Sequence, residues 1–115
     1  MIAVIFEVIP NEGQKDEYFR IAETLRSTLE KMSGFISIER FQSFNDPGKV
    51  LSLSFWRDEE SIRQWRGVEM HRWAQSKGRE SIFKDYRLRI AVVSRDYGMF
   101  DRKEAPDDSK EFHDK

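Results

Sequence analysis

The sequence predicts an α+β domain with element order β-α-β-β-α-β, and three observations carry that prediction. A β-branched and aromatic run at 2–9 opens the chain and stops at Pro10-Asn11, a turn signal. Residues 12–32 then switch to apolar side chains spaced three and four apart, the period of an amphipathic helix. Two more β-rich runs flank Pro47-Gly48, and a second helical stretch leads into a last alternating run at 86–95.

Taken in order, the first strand (IAVIFEVI) is apolar on both sides, so both of its faces need cover. In the first helix Tyr18, Ile21, Ala22, Leu25, Leu29 and Met32 share one face, and Ser33-Gly34 closes it. Residues 35–43 and 49–57 form a hairpin around Asn45-Asp46-Pro47-Gly48. In its second arm Leu51, Leu53 and Phe55 share one face, and Ser52, Ser54 and Trp56 share the other. The small serines leave space above their face for another subunit or for a ligand. Asp58-Glu59-Glu60-Ser61 starts the second helix, with acids where the helix dipole favours them. That helix carries Ile62, Trp65 and Val68, and Gly67 predicts a kink or break before a second piece at 68–77. A weaker stretch at 79–84 precedes the last strand, 86–95, where Leu88, Ile90 and Val92 alternate with Arg87, Arg89 and Ala91. Residues 99–115 are a charged tail, expected to lie along a partner or stay mobile. The order is the split-βαβ or ferredoxin-like arrangement, an antiparallel sheet with helices on one face. A self-complementary two-fold contact through the open face answers its need for cover, so a homodimer is expected.

Composition bounds the function. The 115 residues fit one domain, and nine Phe, three Trp and three Tyr suffice for a core without staples. With no cysteine, disulfides, thiolate metal sites and cysteine nucleophiles are excluded, which fits a reducing, cytoplasmic setting. Twenty basic residues against twenty-one acidic ones give net charge −1 and no nucleic-acid footprint. No apolar run approaches the ~18–20 residues of a membrane span, and the opening residues lack a basic n-region, so they read as a strand rather than a signal peptide. Phosphate-loop and dinucleotide-binding fingerprints are absent, and His71 and His113 are the only histidines, so no metal site is expected.

From Ser54 to Trp65 (SFWRDEESIRQW) the chain resembles the antibiotic biosynthesis monooxygenase family: an aromatic strand end, an acidic helix start and a Trp nine residues later. The His71-Arg72 pair and the strand ending in Arg95-Asp96-Tyr97-Gly98 add to it. The resemblance covers residues 1–98 and implies a dimeric α/β barrel. Some members of the family oxidise polycyclic aromatics without metal or flavin, and others degrade heme. The heme-degrading branch uses an Asn on the first strand, a Trp on the second helix and a His farther along it. Here the Trp falls on Trp65, the Asn position falls on Phe6, and the His position falls near Gln75, with His71 only six residues past the Trp. An intact heme-degrading triad is absent.

The candidate catalytic residues are Trp65, His71 and Arg72, with Phe6, Trp56 and Tyr86 as candidate substrate-binding residues. Trp65 faces the cavity in the family, against the alternative of an ordinary core aromatic. His71 is a candidate base, but an unbroken helix sets it about 240° from Trp65, so a kink at Gly67 is required to bring it inward. Arg72 shares the face of Trp65 and offers a donor fork to an anion, or else a solvated ion pair with Glu69. Glu39 is expected to pair with charge across a dimer. The leading functional expectation is a cofactor-independent monooxygenase for a small aromatic or quinol-like substrate. The alternatives are a non-catalytic small-molecule-binding dimer of the same fold and, third, a heme-degrading monooxygenase.

Overall fold

The computed structural model describes residues 1–75 and 79–114, with the side chains of 71, 73–75 and 79–80 outside the description. Strand β1 (Ile2–Pro10), helix α1 (Lys15–Glu30), strands β2 (Phe35–Gln42) and β3 (Val50–Trp56), helix α2 (Glu59–Gln75), the short α3 (Arg79–Ile82), strand β4 (Phe83–Val92) and helix α4 (Asp107–His113) follow one another along the chain. The sheet order is β2-β3-β1-β4 and each pair is antiparallel, so β1 lies inside the sheet as its apolar sequence requires.

Registration divides the sheet into two faces. One row across the strands reads Arg40, Ser52, Phe6, Leu88, and the next reads Ile38, Ser54, Val4, Ile90. These rows lie under the helices. Helix α1 buries Tyr18, Ile21, Ala22, Leu25 and Leu29 against them, and Met32 packs at the edge of the same core. Helix α2 contributes Ile62 and Trp65, whereas Val68 stays on its exposed side. The opposite face carries Ile5, Leu51, Leu53, Phe55, Phe41 and the Glu7–Arg89 ion pair (3.2 Å), and no helix of the described residues packs across it.

Two local features fix the relation of helix to sheet. Asp58 precedes α2 and its Oδ1 accepts hydrogen bonds from the Ser61 N–H (2.9 Å) and hydroxyl (2.7 Å), capping the helix. These bonds, with Arg57 beside them, hold the Asp58 carboxyl down to about 2. Gly34, at φ +82°, ends the turn after α1, and its carbonyl accepts the Arg57 N–H at 2.7 Å. A Cβ at Gly34 would collide with the Ser61 hydroxyl, so the β2 start and the α2 start meet at a point that only glycine fits.

Three expectations change. Helix α2 runs unbroken through Gly67, because one glycine costs only about 1 kcal/mol inside a helix and no contact forces a bend there. The last strand begins at Phe83 rather than 86 and ends at Val92, drawn forward by pairing with Pro10 and Ile9 across a bulge. The tail is neither featureless nor free of structure. Arg102 organises it by donating to Asp114 Oδ1 (2.9 Å), Ser109 Oγ (2.8 Å) and the Gly98 carbonyl (3.2 Å), and it lies 5.5 Å from the Tyr97 ring centroid. The expected 76–77 end of the second helix lies outside the described residues. No described helix is long and apolar enough to cross a membrane.

Candidate functional site

Between the helices and the covered sheet face is a cavity of about 650 Å³. It exists because β3 places Ser52 and Ser54 where larger side chains would fill the space. Aromatic rings wall it at both ends. At one end Phe6, Phe83 and Tyr86 meet edge-on or tilted at 5.5–6.1 Å, with Tyr18 5.9 Å from Phe83. At the other, Trp56 and Trp65 lie 6.5 Å apart at 31°, and Phe35 packs edge-on against Trp56. The Trp56 indole N–H donates to Ser54 Oγ at 2.9 Å, which removes a donor that burial would otherwise leave costly. Tyr86, Leu88 and Ile90 on β4 and Arg66 and Met70 on α2 line the cavity yet remain exposed, so its mouth opens between α2 and β4.

Four side chains bring polarity into this apolar space. Tyr18 from α1 is fully buried and its phenol is hydrogen-bonded by Arg40, which reaches in from β2. Burial pushes the phenol above its ordinary range, and the Arg40 charge pulls in the other direction. Glu69, one turn beyond Trp65 on α2, accepts a hydrogen bond from the Trp65 indole and feels the charge of Arg40. Burial nonetheless raises its carboxyl above the ordinary 4.5. Arg40 Nε is buried without a hydrogen-bond partner among the described residues. A guanidinium N–H in that position is a donor waiting for an acceptor within an otherwise greasy pocket.

The expected site residues divide accordingly. Trp65, Phe6, Trp56 and Tyr86 all line the cavity, Trp65 contributing both ring and N–H. Arg72 is exposed and is not among the lining residues. It shares the face of Trp65, but seven residues carry it about 10 Å farther along the helix, past the cavity. Its expected partner Glu69 turns inward to Trp65 instead. The His71 side chain lies outside the described residues, and the unbroken α2 removes the kink its inward turn required. Glu39 is exposed on the open sheet face. Sequence reasoning missed Tyr18, Arg40 and Glu69 as site residues. Two signals pointed to them: Glu69 lies about 40° from Trp65 on a helix, and Arg40 alternates in phase with Ile38.

The class that fold and cavity define is a ferredoxin-like α+β domain with an aromatic-walled cavity and a polar cluster under its helices. The antibiotic biosynthesis monooxygenase profile matches residues 1–77. Over 94 residues the chain is 48% identical to the jasmonate monooxygenase ABM of Pyricularia oryzae, covering 82% of this chain and 44% of that protein. It is 30% identical over 93 residues to the uncharacterized protein YqjZ of Bacillus subtilis, covering 81% of this chain and 79% of that one. The solved structure of Rv0793 from Mycobacterium tuberculosis superposes with a TM-score of 0.72 at 13% identity, covering 84% of this chain and 98% of that one, a likeness of fold alone. This chain belongs to the antibiotic biosynthesis monooxygenase family. It spans less than half the length of the Pyricularia relative.

Proposed function

We propose that the chain is a monooxygenase for a small, mainly apolar organic molecule that enters between α2 and β4 and sets its oxygen-bearing end at Arg40. The observation that carries this reading is the buried, unpartnered Arg40 Nε inside an aromatic-walled cavity of about 650 Å³. That volume falls within the range of drug-sized ligand sites, and an apolar wall with a few converging polar groups is their usual make-up.

For an anthrone- or quinol-like substrate no metal or flavin is required. The deprotonated substrate gives one electron to O2 and the two radicals combine into a hydroperoxide. For the anthrone, loss of water from the R2CH–OOH hydroperoxide then leaves a carbonyl, so its CH2 and O2 become C=O and H2O. Arg40 and the Tyr18 phenol stabilise the oxyanion, and the rings of Phe6, Trp56 and Trp65 orient the substrate and exclude water. The name of the Pyricularia relative adds jasmonate, a cyclic ketone with a carboxylate, as a compound to try. Hydroxylating its unactivated C–H consumes two further electrons, so that assay includes NADPH. The domain of residues 1–98 works as a cytoplasmic homodimer through the open sheet face, and that reading is supported by the uncovered Ile5, Leu51, Leu53 and Phe55.

The test is oxygen consumption with anthrones, quinols and jasmonate, comparing wild type with Trp65→Phe. Turnover above the uncatalysed background that falls in Trp65→Phe is the expected result. No uptake with any compound by the folded protein would favour a non-catalytic binder of the same fold.

A further inference from the structure

The cavity's polar cluster has an electrostatic peculiarity. Arg40 comes from β2, Tyr18 from α1 and Glu69 from α2, so three separate elements converge on one spot. Burial raises the Glu69 carboxyl above its ordinary value, against the Arg40 charge and the indole donor from Trp65, which pull it down. When Glu69 is ionised, it and Arg40 cancel in the buried part of the cavity, with the Arg66 charge lying exposed at the mouth. An anionic ligand on Arg40 would then leave one uncompensated negative charge among Phe6, Leu25, Leu29 and Ile38, which is unfavourable in an apolar interior. A proton on Glu69 removes that cost and converts a repelling acceptor into a donor.

We infer that the cavity takes its ligand as an organic monoanion together with a proton, the anion lying on Arg40 and Tyr18 and the proton residing on Glu69. This rests on the cavity being the substrate site, and it goes further by naming the ligand's charge class and its coupling to pH. No covalent step is involved. The anion takes the free Arg40 Nε–H, and Glu69, once protonated, turns its O–H toward the same acceptor. Among the described residues the other titratable or charged groups lining the cavity are Tyr18 from α1, Arg66 from α2 and Tyr86 from β4, and the His71 side chain lies outside the description. Of the groups lining the cavity Glu69 is the carboxylate whose neutral form burial promotes, so the proton is assigned to it. The consequence is a site that accepts acids as net neutral species and releases them as pH rises.

The experiment is titration calorimetry of the full chain with 4-phenylbutyrate and octanoate, each against its methyl ester, at about pH 6 and pH 8 in buffers of different ionisation enthalpy. The carboxylates are expected to bind more tightly than their esters. Their observed enthalpy should track the buffer with uptake approaching about one proton per ligand at the higher pH, and affinity should fall by up to about tenfold per pH unit. Glu69→Gln, which keeps an acceptor for the Trp65 N–H, should abolish the proton uptake and flatten the pH dependence. Arg40→Gln should remove the preference for the carboxylate while leaving ester binding. Carboxylate preference without proton uptake in the wild-type protein would overturn the coupling and leave the anion site. Equal binding of ester and acid would overturn the anion class and leave an apolar substrate cavity. Failure of both acid and ester to bind would remove the cavity reading as well. The wild-type buffer dependence stands as a test even where a variant does not fold.

Discussion

The two faces of the sheet invert the usual pattern. On β3 the covered side carries Ser52 and Ser54, and the uncovered side carries Leu51, Leu53 and Phe55. Ordinarily an antiparallel sheet turns its large apolar residues toward the core and its small polar ones toward water. Here the helices supply the bulk on the covered side, through Tyr18, Leu25, Leu29 and Trp65, so the sheet can leave room there. The apolar residues on the other side are half-buried, and no helix of the described residues packs its face against them. One face therefore encloses a cavity, and the other presents a flat apolar surface.

Stability distinguishes the faces most sharply. Trp56→Ala removes a buried ring whose N–H is held by Ser54, and it is expected to cost about 3–5 kcal/mol in chemical denaturation. Phe55→Ala, the next residue but on the open face, should cost the isolated protomer clearly less. Leu53→Glu places a charge at the centre of the open face. Sedimentation should show it shifted to the monomer, with unchanged far-UV circular dichroism and ligand binding retained in the cavity. On the covered face, Arg40→Met removes a charge-assisted donor and is expected to lower kcat/KM or ligand affinity roughly 10–100-fold, while exposed Arg72→Ala leaves both unchanged.

Two carboxylates on the same helix refine the contrast through pH. Asp58 is depressed from 3.8 to about 2, so its contribution is present above 3.8 and is lost as pH falls toward about 2. Glu69 is raised above 4.5, so its contribution is complete below that value and is lost as pH rises through its folded pKa. A Tm profile should therefore lose its acid-side slope in Asp58→Asn and its neutral-side slope in Glu69→Gln. The smallest effect belongs to neither face. Gly67 has open space where a Cβ would stand, and Gly67→Ala should stabilise by about 0.4–1 kcal/mol, read as a higher Tm.

Much of this was legible in the residues. The order of elements followed from period changes, and the α1 face from Tyr18 to Leu29 was read in full. Trp65 and Phe6 were placed at the cavity through the family resemblance, Trp56 through sharing a strand face with Ser52 and Ser54, and Tyr86 as a hydroxyl at the start of the last strand. The charged members of the site were not legible. Arg40 sits in the run Ser-Ile-Glu-Arg-Phe beside Glu39 and reads as a solvated strand residue. Its inward direction depends on register with Ser52, which only the paired sheet supplies. Glu69 was assigned to Arg72 by sequence proximity, although the helix turned it toward Trp65. In the C-terminal segment the acids Asp107-Asp108 after Pro106 did carry a helix-start signal, but the clustering around Arg102 is tertiary and has no sequence period.

The meeting of Gly34 with Ser61 sets a boundary for anyone reshaping the pocket. Ser61 lies one turn before Trp65, so a side chain at position 34 would push the whole α2 register outward and move the indole with it. In a mutational library position 34 should tolerate almost nothing, though it is far from any ligand atom. Positions 52 and 54 touch the ligand space directly and should accept exchange among small residues, each resizing the cavity without displacing its frame. Tolerance in this fold is therefore set by how close two backbones must come, and distance from the pocket is a poor guide to it.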